Sequence, residues 1–222
     1  MVIAILAIAS LVSAPSILQN DSTVFAYLRP TLKDVGGAAR LYYAAECRPE
    51  ENDASGHLRL FFPSIQLQPP QPGATGLAAI RQVFQNDRNV SIVQDQGGMV
   101  RITLGSVSTE LLQTRLDAVA LNSDQQYSPQ AALLAIEAMP EVLAAEERLK
   151  LGVPWTITDI IVAGAIKGAP HHPGLMQDVT VDEALDSIAR TFKGVVAYGL
   201  CKQQPNGKEL FKLNFFKGSL TP

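Results

Sequence analysis

The stretch that most constrains the fold covers residues 180–216. It opens T-V-D-E-A-L-D-S-I-A-R-T-F-K-G-V-V-A-Y-G-L-C, passes through K-Q-Q-P-N-G-K and closes with E-L-F-K-L-N-F-F. Thr180 and Glu183 are spaced as a capping box: the Thr hydroxyl accepts from a first-turn amide, and the Glu carboxylate reaches back to the Thr amide. Val181, Leu185, Ile188 and Phe192 recur at helical spacing, with Asp182, Asp186 and Arg190 off that face. Gly194 suits a helix stop. Val195, Val196 and Tyr198 predict a strand, and the alternation over 210–216 predicts a second. Asn206-Gly207 between them is a hairpin turn signal, because both residues tolerate positive φ.

The same order of elements occurs earlier. Leu77, Ile80 and Phe84 repeat the spacing of Leu185, Ile188 and Phe192; a strand over 90–93, a Gln96-Gly97-Gly98 turn and a strand over 99–104 follow. Short apolar runs at 65–68 and 175–179 precede the two helices as further strands. The expected fold class is therefore α+β: two β-α-β-β units, with small mixed or antiparallel sheets, joined by a helical middle segment. The expected divisions are an apolar N-terminal segment (1–19), a linker (20–37), the first unit with an N-terminal hairpin at its front (38–106), a helical insert (107–173) and the second unit (174–218). Within the insert, Leu112, Leu116 and Val119 predict a helix over 108–121. Ser128-Pro129 opens another through Met139, and Pro140 separates it from a third over 141–150. Residues 155–166 read as a short helix or buried connection, and 167–174 as a loop.

The 222 residues suffice for a substantial core. With 47% hydrophobic and 18% charged residues the chain is not a disordered polymer. A net charge of -3, with Lys and Arg scattered, excludes a phosphate-neutralising nucleic-acid binder. The opening M-V-I-A-I-L-A-I-A-S-L-V-S-A has no charge before Asp21 and reads as the apolar part of an export signal, with Val12-Ser13-Ala14 as the cleavage site. No basic residue precedes it and Pro15 follows the cut, so a membrane anchor and a buried helix stay open as alternatives. Membrane contact is expected only through this segment, if it is uncleaved. The expected location is periplasmic or secreted.

Cys47 and Cys201 are the only cysteines. In an oxidising compartment such a pair predicts one disulfide, closing a loop worth about 4–5 kcal/mol in the chain-entropy model; the alternative is two buried thiols. His171-His172 lies between prolines without helical ligand spacing and reads as a solvent loop, and His57 as a structural strand residue. Glu137, Glu141, Glu146 and Glu147 read as a solvated helix face. No phosphate loop, nucleophile elbow or zinc spacing occurs. No catalytic, metal or cofactor residue is therefore assigned. Tyr42, Tyr43, Phe61 and Phe62 are consecutive strand aromatics; the outward member of each pair is expected on a docking surface, with burial as the alternative.

Residues 179–198 resemble the short N-terminal module of secretins and TonB-dependent receptors. That pattern is a strand, a helix opening Leu- or Val-x-Glu-Ala-Leu, a glycine after the helix and another strand. Val181, Glu183, Ala184, Leu185, Gly194 and Val195 match it. The resemblance implies a small periplasmic β-α-β fold that docks on other envelope proteins, and it assigns no binding residue here. The expected function is thus an exported protein-interaction module acting through a sheet face or edge, with an envelope protein as partner. An enzyme whose site is assembled from distant residues and a carrier of small apolar ligands are the alternatives.

Overall fold

The structure, a computed structural model, describes residues 21–32, 35–49, 58–153, 169–202 and 209–217. The expected leader over 1–19, His57, the apolar stretch 155–166 and the Asn206-Gly207 turn lie outside the described residues. In chain order the elements are α1 (Asp21–Leu32), β1 (Ala39–Ala44), β2 (Glu46–Pro49), β3 (Leu58–Phe61), α2 (Gly76–Val83), β4 (Val90–Gln94), β5 (Val100–Leu104), β6 (Arg115–Ala120), α3 (Ser123–Tyr127), α4 (Pro129–Glu137), α5 (Pro140–Leu149), β7 (Leu151–Gly152), β8 (Leu175–Thr180), α6 (Val181–Phe192), β9 (Gly194–Lys202) and β10 (Glu209–Lys217). A 3-10 turn at Leu111–Gln113 precedes β6. The fold is α+β, as expected.

A six-stranded sheet in the order β4-β5-β1-β9-β10-β7 forms the frame. β1 runs parallel to both neighbours, so Leu41 stands between Ile102 and Ala197. β4 is antiparallel to β5, and β10 to β9. Because side chains alternate along a strand, β1 is divided between two cores. Ala39, Leu41 and Tyr43 join Val100, Ile102 and Val195 under α1 and α2. Tyr42 joins Val196, Tyr198 and Phe211 under α4, α5 and α6. β9 is buried from Gly194 through Cys201, which is why it reads as a continuous apolar run and not as an alternation.

α6 forms for the local reasons its sequence supplies. The Thr180 hydroxyl accepts from Glu183 N–H at 3.2 Å, and Glu183 Oε2 accepts from Thr180 N–H at 2.7 Å. Val181, Leu185 and Ile188 are at most 1% exposed; burying each aliphatic side chain contributes about 1.5–3 kcal/mol. The stop differs from expectation. Lys193 takes the left-handed turn at φ 49°, and Gly194 begins β9, where a Cβ would stand 2.5 Å from the Phe216 carbonyl oxygen.

Four other expectations change. First, a helix replaces the expected linker: Val24, Leu28 and Leu32 lie four apart and, with Phe25, are buried against the sheet. Phe25 stacks on Phe216 at a centroid distance of 3.5 Å. Second, residues 108–121 form the 3-10 turn and β6, not a helix. Leu116 and Val119 are both buried although three apart, because β6 pairs with β8 and the pairing lapses at Asp178, whose φ is +52°. Third, residues 65–68 are not a strand; Gln68 N–H and Nε2 instead bond the Val83 and Gln82 carbonyls at the end of α2. The prolines at 69, 70 and 72 cannot donate to a ladder. Fourth, the two helix–hairpin segments do not share an environment. α2 and α6 cover opposite faces, and the strand adjoining β1 is the second of one hairpin and the first of the other.

β1 ends at Ala44, and the chain turns away at Ala45. β2 leaves the sheet there and pairs with β3, Cys47 opposite Leu60. Among the described residues, no helix is long and apolar enough to cross a membrane.

Candidate functional site

The four aromatics expected at a docking surface separate. Tyr42, Tyr43 and Phe62 are 6%, 1% and 4% exposed, and only Phe61, at 37%, reaches the surface, where Arg48 lies over its ring. Phe61 and Phe62 alternate as expected. Tyr42 and Tyr43 point to opposite faces too, but helices cover both faces there, so both are buried. Cys47 and Cys201 meet as expected at disulfide distance, with Cα atoms 5.8 Å apart, tying the β2–β3 hairpin to β9.

His171 is exposed and His172 is fully buried, so the histidine pair is not wholly a solvent loop. His172 Nε2 lies 2.8 Å from Ser187 Oγ. This pair is not a catalytic dyad. Nδ1 accepts from Gly174 N–H, which leaves the proton on Nε2, and an imidazole in that tautomer donates to the serine and cannot deprotonate it. Burial lowers the His172 pKa, favouring the neutral ring. Among the described residues, no group of three or more His, Cys, Asp or Glu is placed to hold a metal. Glu137 is not part of a freely solvated helix face. Burial, then Glu146, raises its carboxyl to about 7, against the Leu213 amide and Lys212.

A charged cluster that no local sequence pattern assembles lies between α6 and the sheet. Asp182 and Asp186, four residues apart on α6, face Arg40 and Tyr42 of β1 and Arg101 of β5. Arg40 Nη1 lies 3.0 Å from Asp182 Oδ1 and 2.8 Å from Asp186 Oδ1. Arg101 bonds Asp182 Oδ2 at 2.8 Å and Asp186 Oδ2 at 2.5 Å, and it also donates to the Tyr42 hydroxyl. Asp95, at the end of β4, accepts from Arg101 at 3.3 Å. Burial pushes the Tyr42 hydroxyl up to about 12, Arg40 opposing and Asp182 adding. Two guanidiniums matched to two carboxylates leave no nucleophile, and the arrangement works as a clasp that seats α6. Its sequence signal was present: Arg40 and Arg101 each interrupt an apolar strand, and Asp182 and Asp186 share one helix face.

The surface best arranged for contact is the β4 edge. β7, at the other edge, has only two residues. β4 reads V-S-I-V-Q, with neither proline nor charge, the devices that usually blunt an edge. Gly105 N–H bonds the Asn89 carbonyl, and Asp95 N–H bonds the Met99 carbonyl. Alternation in an antiparallel pair then turns the odd-numbered residues of β4 toward β5 and leaves the amides and carbonyls of Val90, Ile92 and Gln94 facing outward. Beside this edge lies a groove of about 290 Å³ lined by Arg81, Phe84, Gln85 and Asp87 next to Val90 and Ile92. Arg81 and Arg88 are exposed and make no ion pair among the described residues.

Comparison of the chain with protein-family models, with curated proteins and with solved structures found no match.

Proposed function

We propose that this chain is an exported envelope protein that works as a protein–protein interaction module, the role implied by the likeness of residues 179–198 to secretin and TonB-receptor N-terminal modules. The open β4 edge is the observation that carries the reading. An extended segment of a partner adds to β4 and takes up the outward amides and carbonyls of Val90, Ile92 and Gln94. Every second side chain of that segment falls over the groove beside α2. Arg81, in the groove, and the exposed Arg88 close to it in sequence favour an acidic residue there, because neither has an ion-pair partner among the described residues. The Cys47–Cys201 pair and the apolar run at residues 1–14 support a periplasmic or secreted location, where a disulfide persists.

Phage-displayed random peptides, selected on the purified protein and followed by amide exchange, test this. The expected ligands are extended peptides carrying Asp or Glu, with new protection at the Val90, Ile92 and Gln94 amides. Gln94→Pro deletes an outward donor and is expected to weaken them about tenfold. Protection confined to another surface, or undiminished binding by the proline variant, would sink the proposal. The same variants, with a photo-crosslinker at Ser91, then identify the envelope partner.

A further inference from the structure

A second cleft, of about 490 Å³, opens at the far side of the sheet from β4, where the end of α5 meets β7, β9 and β10. Its volume falls in the range of small-ligand sites. Leu111, Leu149, Leu151 and Leu200 supply apolar wall. Tyr198 lines it while only 1% exposed, and its hydroxyl has no hydrogen-bond partner among the described residues. A phenol hydroxyl that opens toward a cleft without a protein partner is a donor awaiting an acceptor. At the rim, Lys202 is matched to Glu209 at 3.4 Å. Arg148 and Lys150 have no carboxylate partner among the described residues; the lining carries two carboxylates, Glu110 and Glu209, the second of them matched to Lys202.

We infer that this cleft binds a small amphiphile with an anionic head and an apolar body of ring or short-acyl size. The apolar part lies against the leucines, an oxygen of the ligand accepts from the Tyr198 hydroxyl, and the head sits by Arg148 and Lys150. The inference is independent of strand addition at β4, since it uses other elements and the opposite side of the sheet.

The probe is 8-anilinonaphthalene-1-sulfonate, an aromatic sulfonate, titrated into the full chain by fluorescence and by amide chemical shifts. Saturable binding with shifts at Lys150, Leu151 and Lys202 is expected. Tyr198→Phe, which keeps the ring, weakens it about fivefold, the loss of one hydrogen bond. Arg148→Glu with Lys150→Glu, both at exposed positions, weakens it about tenfold or more. The uncharged analogue N-phenyl-1-naphthylamine binds less tightly than the sulfonate. Near-ultraviolet circular dichroism confirms that each variant is folded. Absence of saturable binding, shifts elsewhere, equal binding of the uncharged analogue, or indifference to both sets of substitutions overturns the assignment.

Discussion

Arg40 of β1, with no exposed surface, holds its Nη1 2.8 Å from Asp186 Oδ1 on α6. Two of its donors, Nε and Nη2, are buried without a hydrogen-bond partner, so the guanidinium depends on the carboxylates it does reach. Burial raises the Asp186 carboxyl, with Arg40 and Arg101 pulling it down. The pair is thus weakly favourable as a pair and costly to break singly. Asp186→Ala is expected to destabilise the fold by about 2–3 kcal/mol, because it leaves buried Arg40 with Asp182 alone as counter-charge. Arg40→Met combined with Asp186→Leu should cost less than the sum of the two single changes. Urea denaturation of the three variants measures this, and strict additivity would refute coupling through the clasp.

Glu137 sets a pH dependence. Its folded value of about 7, against 4.5 for the free group, means the folded state binds its proton more tightly. The stabilisation is therefore fully present below about 4.5 and is lost as pH rises through about 7. Glu137→Gln should raise stability at about pH 8 by roughly 1–2 kcal/mol and flatten its rise toward acid. His172 works in the opposite direction: burial lowers its pKa below 6.5, so stability is lost as pH falls through that region. Denaturation midpoints across this window, for the parent and for each substitution made singly, separate the two groups.

The cysteine pair spans 154 residues. Removing so long a cross-link releases loop entropy worth about 5 kcal/mol in the unfolded chain. Cys47→Ser should lower the denaturation midpoint by that equivalent and make it insensitive to dithiothreitol. The parent, treated with dithiothreitol, should fall toward the variant. A parent that dithiothreitol leaves unchanged would show that the two sulfurs do not bond.

Gly199 allows Tyr43 to lie flat against β9. A methyl group at 199 would enter the Tyr43 ring, and that ring is held by stacking on Phe62 at 4.1 Å. Gly199→Ala should therefore destabilise by about 1–3 kcal/mol through overpacking, read as a lower thermal midpoint. A neutral result would mean that the ring is free to move.

On β4, parity decides the outcome. Val93 turns its N–H toward β5 and Gln94 turns its own away. Val93→Pro deletes a ladder hydrogen bond and should cost about 1–3 kcal/mol of fold stability, whereas Gln94→Pro should leave the denaturation midpoint nearly unchanged. If the two prolines were equally damaging, the assignment of outward groups would be wrong.

What the sequence made readable was local. The capping box of α6, the Ser128-Pro129 start of α4 and the Gly98 turn at φ +78° each act within a few residues. What stayed hidden depended on distant partners. β6 imitated a helix because Asp178, more than sixty residues away in sequence, distorts its pairing partner. Asp182 and Asp186 stand off the apolar face of α6 in the sequence, but their partner Arg40 lies 146 residues from Asp186, too far for any local pattern to pair them. β4 became an edge through strand order alone, which no pattern inside V-S-I-V-Q records.

The place of β1 between β5 and β9 also sets when this molecule can fold. Its register partners are residues 100–104 on one side and 195–200 on the other. A chain synthesised from its N-terminus holds Leu41 and Tyr42 unpaired on the β9 side until their partners, more than 150 residues further on, have been made. Such non-local closure is slow, so the centre of the sheet is completed last, after the strands on its β5 side are already in place.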